Sequence, residues 1–166
     1  MIYYSAKEYK KTPKILIVGT GPASISLALI LEKKKVDCVL IEAGNLEYST
    51  KLQETFSGVN NGNFDFDLRN SRIKQFGGSA NIWGERCRPL DPVDYKNWSK
   101  NEINLLKYQQ EASEILHVKN EFDENFLNSS LSQVEFNYSE IDFPNYYLDK
   151  FSKSNFIDVI LNSSFL

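Results

Sequence analysis

The chain has one histidine, two cysteines and no long apolar run, and each scarcity removes a class of function. The lone histidine, His117, falls at the end of an amphipathic stretch. There it is expected to face the carbonyl end of a helix dipole rather than to act as an acid or base. Cys38 and Cys87 have no ligand-type spacing around them, so no metal site is expected. Two cysteines that do not look paired, without a signal-type leader, point to a reducing cytoplasm. The N-terminus, MIYYSAKEYKKTP, is too polar for a secretory core. The most apolar run, Ile25 to Leu31, is far too short to span a bilayer, so no membrane insertion is expected. Nineteen Lys and Arg against 22 Asp and Glu give a net charge of −3 with no basic stripe, which argues against a nucleic-acid partner. Lys33, Lys34 and Lys35 cluster, but they close a helix, where cations oppose the negative dipole end. No internal repeat or low-complexity tract is visible. What remains is an ordinary globular composition, 42% hydrophobic and 25% charged, in 166 residues, enough for one core.

The most informative stretch is Lys14 to Gly44, KILIVGTGPASISLALILEKKKVDCVLIEAG. Lys14–Val18 and Asp37–Ile41 have strand character, and a helix is expected from Pro22 to about Lys34. Gly19 allows a sharp turn off the first strand, and Gly21 lets a pyrophosphate approach the backbone. Pro22 suits the first helical turn, whose free N–H groups and positive dipole end attract phosphate. The third glycine position holds Ser24, small enough for close packing. Glu42 follows Gly19 by 42 − 19 = 23 residues, near the roughly 20 expected of the acid that binds an adenosine ribose. Its carboxylate is expected to take both ribose hydroxyls and to repel a 2′-phosphate. A strand, glycine turn, helix and acid-ended strand in this order form the dinucleotide-binding βαβ pattern. The helix is apolar nearly all round, which predicts burial on both sides.

Residues 1–12 look like a lead-in segment. Asn45–Asn70 is polar, a long excursion with little regular structure. Arg72–Asp94, RIKQFGGSANIWGERCRPLDPVD, is rich in backbone freedom at Gly77-Gly78 and then fixed by Pro89 and Pro92. From Glu102 to His117, Leu105, Tyr108, Ala112, Ile115 and Leu116 recur at helical spacing and predict a helix packed on one face. Residues 118–150 are polar and aromatic without a clear period. Phe156–Leu161 has strand character.

The string SRIKQFGGSANIWGERCRPLDPVDY, with IVGTGPAS and IEAG, resembles the glucose–methanol–choline oxidoreductase family, in its bacterial pyranose-oxidase-like branch. The resemblance is strong over roughly Pro13–Asp94 and weak beyond. It implies a Rossmann-like FAD-binding βαβ core, a partial FAD/NAD(P)-binding fold of the α/β class, with an appended irregular and helical region. On that basis residues 13–100 form the FAD-binding core and flavin-side loop. Residues 101–166 form helical and β segments of an incomplete FAD and substrate region. The cofactor implied is non-covalent FAD. Gly19, Gly21, Pro22, Ala23 and Glu42 are expected to hold its ADP half, and Gly78, Ser79, Asn81 and Trp83 to line the pyrophosphate and flavin. Arg72 and Lys74 match two basic positions that would neutralise phosphate. Glu85 stands where the family has glycine. Asn81 stands where some relatives carry the histidine that bonds flavin, so a histidyl linkage there is chemically impossible.

The resemblance further implies oxidation of CH–OH groups in a sugar or alcohol. The family's catalytic bases fall near the end of a longer chain, so no catalytic residue is named. The chain is expected to be a truncated N-terminal part, inactive alone unless a second polypeptide completes the fold and supplies the substrate face. A non-catalytic remnant of a split gene and an NAD(P)H-using flavoprotein are the alternatives. The glycine motif alone allows the last, and the Gly77–Pro89 string opposes it.

Overall fold

The computed structural model describes residues 1–63, 66–91, 93–98, 103–119, 124–126 and 131–164; Pro92 and Glu102, named above, lie outside them. In chain order the elements are β1 (Ile2–Tyr3), β2 (Ile15–Val18), α1 (Pro22–Lys33), β3 (Cys38–Ile41), α2 (Thr50–Gln53), β4 (Arg86–Cys87), α3 (Gln109–Leu116), β5 (Glu124–Phe126), β6 (Ser132–Val134), β7 (Asn137–Tyr138), α4 (Phe143–Ser152) and β8 (Ile157–Ile160). Two compact units result: Met1–Trp83 with Phe143–Leu166, and Gly84–Asp142. The protein is mixed α/β with a parallel four-stranded sheet, compatible with a Rossmann-like core.

The first unit is built on that sheet, in the order β1-β8-β3-β2. Ile15 to Val18 lie opposite Cys38 to Ile41, and Cys38 to Ile41 opposite Ile157 to Ile160. The inner strands, CVLI and IDVI, are short and largely buried, and apolar except for Asp158, as suits parallel strands covered on both faces. β8 joins this unit because it pairs with β3, although it lies beyond residue 100 in the chain. β2 is different. It pairs only with β3 among the described residues, and it alternates: Ile17 is buried while Leu16 and Val18 are exposed.

Residues 1–12 are more than a lead-in. Ile2 and Tyr3 pair in parallel with Val159 and Ile160, so they supply the far edge of the sheet. The Met1 ammonium donates to the Ile157 carbonyl at 2.8 Å and pairs with Asp158 at 3.3 Å. Lys11 reaches the same carboxylate at 2.8 Å. A two-residue strand has little stability of its own; a charge clasp at Asp158 holds this one in register.

α1 begins with Pro22 in its first turn and ends at Lys34. It buries Ile25, Ala28, Leu29 and Leu31, but Ala23 is exposed and Leu27 is 44% exposed. The burial on both sides predicted from its composition is absent, because among the described residues no layer covers the face carrying Leu27. α4 has no counterpart in the sequence reading. Its Phe143, Tyr147 and Phe151 recur every four residues and are all buried. Phe151 meets Phe76 edge-on at 6.4 Å, and the helix packs on β8. Pro144 fits because it stands in the first turn, where a missing N–H costs nothing.

The second unit contains two antiparallel pairs, β4–β7 and β5–β6. The single helix predicted over 102–117 is divided, with a 3-10 segment, Ile103–Tyr108, leading into α3. Its expected packed face is open instead: Leu105 and Tyr108 are exposed and line, with Cys87, Pro89 and Leu116, an apolar cavity of about 320 Å³. The buried side chain of α3 is Ser113. Cys87 is buried in β4, and burial raises its thiol pKa. His117 closes α3 in the left-handed conformation at φ 52°. No helix among the described residues is long and apolar enough to cross a membrane.

Candidate functional site

β2 ends at Val18, and the chain turns at Gly19 with φ 94°, a conformation L side chains resist. The turn stays anchored, because the Gly19 N–H donates to the Ile41 carbonyl at 2.7 Å. Gly21 then caps α1 without a side-chain cap, and among the described residues no side chain bonds the first helical N–H groups. The first intrahelical bond here runs from Ile25 N–H to the Gly21 carbonyl at 3.0 Å. The N–H groups of Ala23 and Ser24 therefore belong to the unpaired first turn, which attracts anions. A Cβ at Gly21 would meet nothing within 4 Å, so the space in front of the turn is open.

Glu42 follows β3 and turns its carboxylate back to this loop. It is only 6% exposed. Oε2 accepts from the Thr20 N–H at 3.2 Å and the Thr20 hydroxyl at 2.6 Å, and Oε1 accepts from the Gly44 N–H at 2.7 Å. A carboxylate has about four acceptor positions. Three are filled, which leaves one, on Oε1. Glu42 thus has one acceptor position open to a further donor, fewer than the two that both ribose hydroxyls would use.

A second glycine turn comes against the first. Buried Gln53 donates to the carbonyls of Arg69 and Arg72 and accepts from the Lys74 N–H, fixing the backbone of that segment. The segment then passes so close to Gly44 that a Cβ there would overlap the Lys74 carbonyl and the Gln75 nitrogen. Phe76 N–H donates to the Asn45 carbonyl at 2.9 Å, and Gly77 N–H donates to the Thr20 hydroxyl at 3.1 Å. Gly77 and Gly78 have φ values of 91° and 56°. A Cβ on Gly77 would press on Pro144 of α4 at 2.6 Å. Asn81 closes the turn by donating to the carbonyls of Phe76 at 2.9 Å and Gly78 at 2.8 Å.

No protein-family model matches the chain, and no curated protein matches it.

Of the residues expected in the site, Gly19, Gly21, Pro22, Ala23, Glu42 and Gly78 are gathered where the two turns meet, and Asn81 supports Gly78. Ser79 is exposed beside them. Trp83 is half-buried and stands edge-on to Phe143 at 6.2 Å. Arg72 is exposed, and its carbonyl rather than its guanidinium makes the defined contact. The Lys74 ammonium is engaged locally, on the Thr55 hydroxyl and over the Phe56 ring at 4.6 Å. Glu85, in the second unit, adopts φ 63°, a conformation that glycine takes without strain.

Sequence reasoning missed Thr20, Gln53 and Pro144 as builders of the cradle. A hydroxyl between two glycines was the available signal for Thr20; Gln53 and Pro144 act across chain separations that no local pattern reports. Chemically, the cradle offers free N–H groups for an anion, a backbone surface without side chains, and one acceptor for a hydroxyl.

Proposed function

We propose that the first unit binds the ADP half of FAD, and that the chain is the FAD-binding N-terminal portion of an oxidoreductase acting on CH–OH groups of sugars or alcohols. One observation carries this reading: the turns at Gly21 and Gly78 meet beside an uncapped helix start, with open space at Gly21 and the Glu42 carboxylate behind it. A pyrophosphate fits the first-turn N–H groups and the bare glycine surface. The remaining acceptor of Glu42 fits one ribose hydroxyl, and its charge disfavours a 2′-phosphate. When bound, FAD supplies a hydride acceptor. The residues that would hold it are Gly19, Gly21, Ala23, Glu42 and Gly78. Asn81 has no imidazole to offer the flavin, so no histidyl linkage forms at that position, and the FAD proposed is non-covalent.

Alcohol oxidation also needs a base within about 2.6–3.2 Å of the substrate hydroxyl. No residue is assigned that part, and the chain alone is expected not to turn over sugars or alcohols. The test is flavin binding by the purified chain, followed by quenching of flavin fluorescence, with ADP as competitor. Saturable binding that ADP displaces is expected. Absence of binding to both FAD and ADP by folded protein overturns the reading. Binding of NADH but not FAD assigns the same cradle to a nicotinamide cofactor.

A further inference from the structure

Thr20 lies between the two glycines of the first turn and is completely buried. Its hydroxyl does two jobs at once. It donates to Glu42 Oε2 at 2.6 Å and accepts from the Gly77 N–H at 3.1 Å. The three residues come from the loop after β2, the end of β3 and the turn before Asn81, and they are separated in sequence by 22 and 57 positions. We infer that Thr20 is a positioning residue that ties the ribose acceptor to the second phosphate-side turn. Its hydroxyl fixes the rotation of the Glu42 carboxylate, so that the free acceptor is on Oε1. The same oxygen holds Gly77, and through it Gly78, against Gly21. This deepens the cofactor reading and rests on it for the ligand, though the link itself is a property of the unliganded chain.

Polarity makes the arrangement directional. Thr20 Oγ1 gives its one proton to a carboxylate, so its lone pairs face the Gly77 N–H. A hydrogen bond to a charged acceptor is stronger than one between neutral groups, and neighbouring bonds in a buried chain reinforce one another. Ser in this position keeps both bonds. Val keeps the shape and loses both.

The first test needs neither variant nor ligand. In the full chain, amide hydrogen exchange at Gly77 should be slow, in the range of Phe76, whose N–H is held by the Asn45 carbonyl. Exchange of Gly77 at the rate of an unprotected turn amide overturns the proposal. The second test compares Thr20→Val with Thr20→Ser, both checked for folding by circular dichroism. Thr20→Val should weaken binding of FAD and of ADP by about tenfold or more, the factor that corresponds to losing hydrogen bonds to a buried charged group. It should also speed exchange at Gly77 while leaving Phe76 unchanged. Thr20→Ser should restore both properties to within about twofold, a small fraction of a tenfold step. Wild-type affinity and wild-type Gly77 exchange in Thr20→Val overturn the proposal. If the wild-type chain binds neither FAD nor ADP, the cofactor reading fails by itself, and the exchange measurements still decide whether Thr20 links the two turns.

Discussion

A Cβ built on Gly78 would lie 3.5 Å from the Cα of Gly21, so two turns 57 residues apart in the chain meet backbone to backbone. The glycines around this meeting point have different duties, and substitution separates them. Gly21 has φ −69° and open space where a Cβ would go. Gly21→Ala should therefore change stability by less than about 1 kcal/mol. It should still lower FAD affinity by about tenfold or more, because the methyl enters the path of the phosphates. Gly44→Ala should do the opposite. Its methyl overlaps the Lys74 carbonyl, which should cost about 1–3 kcal/mol or more of stability. Thermal melts beside flavin titrations check the pair. Equal loss of stability in both variants would show that Gly21 serves packing alone.

Glu42 supports the fold as well as the site. Glu42→Ala removes one carboxylate that accepts three hydrogen bonds and leaves the buried Thr20 hydroxyl and Gly44 N–H without their acceptor. The expected loss is about 3 kcal/mol, the upper range for hydrogen bonds to a charged group. Denaturant unfolding measures it. A variant as stable as wild type would mean that these donors find water or other partners. The affinity of Glu42→Ala for FAD is informative only where the variant is shown to be folded.

The βαβ stretch was legible because its signals are local. The predicted strand, helix and strand, Lys14–Val18, Pro22 to about Lys34 and Asp37–Ile41, agree within a residue or so with β2, α1 and β3. The short apolar strand runs, the proline in the first turn and the glycines before it all lie within one unit of structure. What stayed hidden depends on distant partners. β1 is two residues long and exists through Val159, Ile160 and the Asp158 clasp. α4 carried a period of four in Phe143, Tyr147 and Phe151, but it is aromatic-rich with a proline at its start, a composition of modest helix propensity. The site was half legible for the same reason. Gly21 and Glu42 could be read from spacing, whereas the roles of Thr20 and Gln53 appear only when residues 69–78 come against the first turn.

Alkaline pH should loosen the first unit. Burial first, and then the Asp158 carboxylate, push the Tyr9 hydroxyl from 10.0 up to about 12. Burial pushes the Cys38 thiol from 9.0 to about 11 and the Tyr147 hydroxyl to about 12. Each folded pKa is raised, so the folded chain holds these protons more tightly than the unfolded chain. Their contribution is complete below pH 9.0 and is lost as pH rises through about 11 and about 12. Unfolding midpoints followed across this window should fall steadily. Asp158→Asn should lower the Tyr9 titration, followed by tyrosinate absorbance, since it removes the charge that opposes ionisation. A Tyr9 midpoint unaffected by this change would remove Asp158 as a cause and leave burial as the main one.

The outer edge of β2 is the feature that should dominate the solution behaviour of the chain. The strand pairs with β3 on one side and has no partner on the other among the described residues. Leu16 is 44% and Val18 is 61% exposed, on the face opposite buried Ile17. An open strand with apolar side chains presents both unpaired backbone groups and a sticky surface, the combination that invites association between edges. The clasp at Asp158 is at the far edge of the same sheet, beside β1, and does nothing to protect β2. Wild-type protein is therefore expected to self-associate as concentration rises. Val18→Lys puts a charge on that edge without removing a buried contact. It should change stability by no more than about 0.5 kcal/mol, as exposed substitutions do, while shifting the population toward monomer in light scattering. The same substitution at Ile17 should unfold the unit, because Ile17 is buried. A Val18→Lys variant that associates as strongly as wild type would place the sticky surface elsewhere, with the exposed face of α1 at Leu27 the next site to charge.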